Sequence, residues 1–172
     1  FNRLPSNEWQ VLPPELDRVM DSAIRIARES DGAYDPTMGA LVDLWGFGPS
    51  GPRQAPPKPD DIATCHRACG WQQLESDADA HRLRRHNTGF VDLCGIAKGF
   101  AVDLVAETLR EHGIHHALVE IGGELRGHGV KPDGSPWWVE IDRFGNVDAE
   151  TEPMLVALHD LAIATSGCER SF

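Results

Sequence analysis

Residues 90–123 read FVDLCGIAKGFAVDLVAETLREHGIHHALVEIGG. A short apolar run, Phe90–Leu93, predicts a strand with an acid at Asp92. Small residues follow, with Gly95, Lys98 and Gly99 opening an amphipathic segment. Its periodicity predicts a helix over 96–112 that buries Ala97, Phe100, Ala101, Leu104, Val105 and Leu109 and stops at Gly113. A second apolar strand, Ala117–Ile121, closes on Gly122 and Gly123. A strand, a small-residue turn and a helix N-terminus bring backbone N–H groups to a place where they can meet an anion. Lys98 adds a mobile positive charge in the first helical turn. The pattern is neither the P-loop nor the dinucleotide GxGxxG. Read from the residues alone, it serves either as a phosphate or nucleotide site or as plain architecture.

The length of 172 residues predicts one domain with room for a real core. The formal net charge of −11 argues against non-specific nucleic-acid binding, because no basic patch is available to release counterions. An anionic small molecule stays possible, since a site needs only local positive potential. No stretch approaches the ~18–20 apolar residues of a membrane span, and no signal peptide is visible.

Upstream of the central stretch, Leu16, Val19, Met20, Ala23, Ile24 and Ala27 form one apolar stripe. They predict a helix over Pro14–Glu29, opened by prolines and stopped by Gly32. In GAYDPT, Pro36 forces Asp35 out of the helical region, and Asp35 and Thr37 can bond neighbouring backbone to fix a turn. A short helix at Met38–Leu44 follows. LWGFG, residues 44–48, reads as a packing corner around Trp45 and Phe47 more than as a stacking platform. A proline-rich loop, 49–59, leads to a helix over Asp60–Ala68. Trp71–Glu75, Arg82–His86 and Phe90–Leu93 then read as three short strands in a meander.

Downstream, Glu124–Gly129, Trp137–Asp142, Met154–Leu158 and Leu161–Ser166 read as strands, with a hairpin loop at Lys131–Ser135. The strands come in runs and do not alternate with helices. This predicts an α+β fold with mixed or antiparallel sheets and packed helices, not a doubly wound nucleotide fold. Asp103 and Glu107 fall on the outer face of the central helix as solvated charges. Cys65 and Cys69 would need His66 and His81 to make a zinc site, and the spacing does not argue for one. Cys94 reads as a packed thiol. His115 and His116 point to opposite faces and cannot easily chelate one ion.

The run DLCGIAKGFAVD, residues 92–103, resembles the signature of the ApbE flavin transferase family: an aspartate, a leucine, two small residues, I-A-K-G and an aromatic. Three further stretches resemble the family in order: SDGAYDPT at 30–37, LWGFG at 44–48 and ATSG at 164–167. FNRLPSNEW at the start is similar to the tail of a serine- and asparagine-rich turn in that family. The resemblance implies an ApbE-like, T-fold-related α+β domain. It implies a Mg²⁺-dependent reaction in which FMN moves from FAD to a threonine of a target protein and AMP leaves. The alternative it leaves open is FAD binding or FAD hydrolysis without protein transfer. By the same resemblance Ala33, Tyr34 and Asp35 line the flavin nucleotide pocket, and Asp92 and Lys98 touch the nucleotide. The backbone carbonyl of Gly95 would be one metal ligand, and no residue is assigned as catalytic. The implied partners are FAD and a flavin-accepting protein. Family members include periplasmic or inner-membrane lipoproteins and cytoplasmic forms. Beyond ATSG the family continues through a histidine-containing stretch and a metal-binding aspartate. The expectation is therefore a single ApbE-like domain lacking its C-terminal part and impaired in turnover.

Overall fold

The computed structural model describes residues 1–141 and 154–166. The chain forms two compact units, Phe1–Ile96 and Ala97–Phe172.

In the first unit, helix α1 spans Pro14–Glu29 as its apolar stripe predicts. Proline costs nothing at the first helical position, where its missing N–H would have no partner. Glu15 and Asp17 sit in the first turn and Arg28 in the last, each matched to the helix dipole. Gly32, at φ +80°, ends the helix by donating its N–H to Ala27 O at 2.8 Å. Met20 and Ile24 meet Leu12, Leu74, Leu83 and Val91 in one core cluster. Full burial of a side chain such as Leu83 contributes about 1.5–3 kcal/mol.

That core lies against an antiparallel sheet in the order β1-β3-β2, built from β1 (Gln10–Val11), β2 (Leu74–Asp77) and β3 (Arg82–Arg85). Side chains alternate along β3. Leu83 and Arg85 are buried, while Arg82 and Arg84 face Trp9 at 4.7 and 4.5 Å from its ring centre. The buried Arg85 guanidinium donates to the carbonyls of Gly89, Leu4 and Asn2 at 2.7, 2.6 and 3.1 Å. It thereby ties the N-terminal segment to the loop that leads into Asp92. Helices α2 (Gly39–Leu44) and α3 (Pro59–Ala68) complete the unit.

Two of the expected strands take other forms. Residues Trp71–Gln73 make a 3-10 turn, and β2 begins only at Leu74. The Trp71 N–H is taken by Asp35 Oδ2 at 3.2 Å, which replaces a ladder bond. Phe90–Leu93 is not a strand, and Phe90 makes only an isolated parallel bridge with Met38. The side chain of Asn2 meets both backbone groups of Val91 at 2.8 Å, and Pro36 O accepts from Asp92 N–H at 2.8 Å. The backbone partners a sheet would supply come here from a side chain and a turn. Trp45 and Phe47, expected to pack, are instead exposed.

In the second unit, α4 spans Ala97–Glu111. Strands β4 (Ala117–Ile121), β5 (Glu124–His128) and β8 (Leu161–Ile163) form an antiparallel sheet in the order β4-β5-β8. Strands β6 (Trp137–Ile141) and β7 (Met154–Leu158) form an antiparallel pair. The core joins Val102, Ala106 and Val119, with Leu109 and Ile121 packed beside them. The expected buried stripe on α4 is thus rotated, and Val105 is exposed. The helix carries small and apolar residues around most of its circumference, so periodicity leaves the phase open and packing against β4 and β5 sets it. Asp103 is not merely solvated, because Arg126 of β5 reaches it at 2.6 Å. The last strand is shorter than its apolar run and ends at Ile163. Asp142 and Gly167 lie outside the described residues.

Among the described residues the sheets are antiparallel, as the runs of short strands imply. No helix among them is long and apolar enough to cross a membrane.

Candidate functional site

The GAYDPT turn is held by a closed polar network. Asp35 Oδ1 accepts from Thr37 N–H at 2.8 Å and from the Thr37 hydroxyl at 2.6 Å, and Oδ2 accepts from Trp71 N–H. Thr37, 1% exposed, also accepts the Gly70 N–H at 2.7 Å. Both oxygens of Asp35 are therefore engaged inside the fold. Its carboxylate fixes the turn that carries Ala33 and Tyr34.

Tyr34 is half-buried, and its hydroxyl has no hydrogen-bond partner among the described residues. Its ring lies over Gly95, where a Cβ would stand 3.3 Å from Cε2. Burial pushes the phenol above its ordinary range, and the negative charges of Asp92, Asp35 and Cys94 push it further. The hydroxyl thus stays protonated and able to donate. Asp92 Oδ1 accepts the Cys94 N–H at 2.7 Å, which turns the chain toward α4. Cys94 is exposed where a packed thiol was expected. In this unit Tyr34, Asp35, Asp92 and Gly95 converge.

Lys98 belongs to the second unit. Its ammonium lies 2.8 Å from Glu124 Oε2 and donates to Gly122 O at 3.2 Å. Gly122 has φ +58°, and a Cβ there would meet Lys98 Cδ at 3.2 Å. The lysine stem therefore rests on a turn where a side chain would crowd it. Sequence reasoning missed Glu124; its position directly after the paired glycines was the available signal.

An Mg²⁺ ion takes an octahedral set of oxygen ligands. Among the described residues no group of three or more His, Cys, Asp or Glu gathers to hold a metal. The Gly95 carbonyl is a single oxygen, so these residues alone do not make a metal centre. Of the weaker candidates, the Cys69 thiol bonds Cys65 O and His81 pairs with Asp17 at 2.6 Å. His116 Nδ1 accepts the Val130 N–H. The first unit has an open cavity of about 350 Å³ bounded by Asp43, Leu44, Arg53, Cys65 and Phe90. The second has one of about 230 Å³ bounded by Glu120, Leu125, Val139 and Thr165. Neither is lined by Tyr34, Asp92 or Lys98.

The fold is one that solved flavin transferases share. The chain superposes on the flavin transferase ApbE from Vibrio cholerae with a TM-score of 0.90 at 36% identity, covering 100% of this chain and 55% of that one. The apo form of the Pseudomonas stutzeri flavinyl transferase ApbE gives a TM-score of 0.86 at 36% identity, covering 99% of this chain and 52% of that one. The sequence model of the ApbE family matches residues 1–172, and the chain belongs to that family. Curated relatives include the FAD:protein FMN transferase of Vibrio cholerae, 36% identical over 100% of this chain and 51% of the relative. That of Haemophilus influenzae is 33% identical over 92% of this chain and 46% of the relative. The chain spans about half the length of these relatives.

Proposed function

We propose that this chain acts on FAD as part of an FAD:protein FMN transferase, moving FMN to a threonine of a target protein with release of AMP. In the balanced step, the threonine oxygen forms a bond to the flavin-side phosphorus and the bond from that phosphorus to AMP breaks. The bridging oxygen departs with AMP, and the hydroxyl proton passes to water as the phosphoester forms. A pyrophosphate carries concentrated negative charge, so catalysis consists mainly of positioning and charge neutralisation.

The observation that carries this reading is Lys98. Its ammonium is fixed by Gly122 O and Glu124 in the first turn of α4, a helix end that favours anions. In this reading Lys98 meets phosphate oxygens. The Tyr34 hydroxyl, buried without a partner among the described residues, donates to the flavin nucleotide, because an unmet buried donor costs about 1–3 kcal/mol that a ligand acceptor removes. Asp92 accepts from the nucleotide, and Asp35 keeps Ala33 and Tyr34 in place beside it. Mg²⁺, when bound, would supply further charge neutralisation with the Gly95 carbonyl as one oxygen. The described residues do not complete its ligand set.

The test is incubation of the protein with FAD, Mg²⁺ and a threonine-bearing acceptor protein, with AMP and acceptor-bound flavin both measured. Transfer predicts the two in equal amounts. AMP without bound flavin would mean FAD hydrolysis, and neither product would mean a flavin-binding role only.

A further inference from the structure

Lys98 is not a solitary cation. Its ammonium has three N–H donors. One is directed at Gly122 O, while Glu124 Oε2 stands 2.8 Å away as a buried ion-pair partner that receives no directed hydrogen bond among the described residues. The Glu124 side chain is 12% exposed against 44% for Lys98, so the carboxylate lies beneath the lysine and the lysine faces outward. A carboxylate placed this deep is costly unless paired, and Lys98 is the cation beside it. The stem of Lys98 runs over Gly122, where a Cβ would stand 3.2 Å from its Cδ. Strand β5 begins at Glu124, so the carboxylate is set by the β4–β5 hairpin and not by the helix that carries the lysine.

We propose that Glu124 is the positioning residue for Lys98: it anchors the ammonium over the Gly122–Gly123 turn and partly neutralises it, holding down its grip on phosphate in the bound state. This rests on the reading of Lys98 as the phosphate-binding group. A lysine bound to a fixed carboxylate presents a dipole to an incoming anion, whereas the same lysine beside a neutral amide presents a full charge. Moderate grip suits a reaction that must release a phosphate-bearing product, because binding that is equally strong before and at the transition state does not raise turnover.

The experiment compares Glu124→Gln, Lys98→Met and the double variant, each titrated with FAD and with riboflavin. Glutamine keeps an oxygen that can accept from Lys98 and removes the charge. Glu124→Gln is expected to tighten FAD by about two- to fivefold, the scale of a partly exposed ion pair, and to leave riboflavin unchanged. In the Lys98→Met background the same change should alter FAD affinity by less than about twofold, since the effect passes through the lysine. A gain that persists without Lys98 would overturn the proposal, because Glu124 would then act on phosphate directly. An unchanged or weakened FAD affinity in Glu124→Gln, with riboflavin intact, would overturn it as well. If Lys98→Met leaves FAD binding unaltered, the phosphate reading itself fails, and that outcome is separate from the other two. Thermal unfolding of each variant guards against misfolding, which would weaken both ligands and could not tighten one.

Discussion

Thr37 and Asp35 share one short hydrogen bond, 2.6 Å from the threonine hydroxyl to Oδ1, and through it the GAYDPT turn is bound to the Gly70–Trp71 turn. The threonine is buried, so its loss cannot be made good by water. Thr37→Val keeps the shape and deletes the hydroxyl, leaving the Gly70 N–H without its acceptor. The expected cost is about 1–3 kcal/mol of unfolding free energy. Thr37→Ser should lose less. Urea midpoints of the two variants check this, and equal stability of Thr37→Val and the parent would show that the network is not needed.

Tyr34 offers a direct optical probe because it is the only tyrosine in the chain. Burial first, then Asp92, Asp35 and Cys94, raise its ionisation above the ordinary value near 10. A raised folded value means that the neutral phenol is favoured in the fold. Its contribution to stability is present below about pH 10 and is lost as pH rises through the folded value. Titration of tyrosinate absorbance should give a midpoint above that of free tyrosine. Asp92→Asn should move it down. A midpoint at the free-tyrosine value would contradict the burial of the hydroxyl.

Arg82 and Arg84 of β3 predict acid sensitivity. Glu75 is held below its usual range by hydrogen bonds from Arg84 and then His86, and Asp77 by Arg82 and Ala80. Depressed carboxylates contribute stability that is present above their unfolded values and is lost as pH falls through the folded ones. The melting temperature should therefore drop as pH falls below about 4, where unfolded Asp and Glu take up protons. Glu75→Gln should flatten the upper part of that drop while lowering stability at neutral pH. Parallel curves for the parent and the variant would show that the pair contributes nothing to the slope.

The parts of this fold with strong local signals were legible in the sequence. Helix α1 has one apolar stripe, prolines before it and Gly32 after it, so its bounds follow from local chemistry. The antiparallel character followed from strands that come in runs. Phe90–Leu93 misled because four apolar-rich residues look like a strand wherever they lie. Its partners, Asn2 and Pro36, are distant in sequence and act through a side chain and a turn. The phase of α4 misled because small and apolar residues surround it, and only contact with β4 and β5 chooses Val102 and Ala106. Motif resemblance singled out Tyr34, Asp35, Asp92 and Lys98; the fold gathers the first three beside Gly95 in the first unit, and Lys98 belongs to the second. The closure of Asp35 by Thr37 and Trp71, and the pairing of Lys98 with Glu124, are long-range contacts that no periodicity announces.

In the proposed function Lys98 binds the phosphates of FAD. A solvated lysine replaced by methionine changes stability by no more than about 0.5 kcal/mol and leaves ligands alone. A charge-assisted contact to phosphate is worth roughly 1.5–3 kcal/mol, which is about ten- to a hundredfold in affinity. The decisive measurement is the dissociation constant of Lys98→Met for FAD and for riboflavin, which has no phosphate. FAD binding should weaken about ten- to a hundredfold and riboflavin binding stay nearly unchanged. Equal affinity of parent and variant for FAD would contradict it.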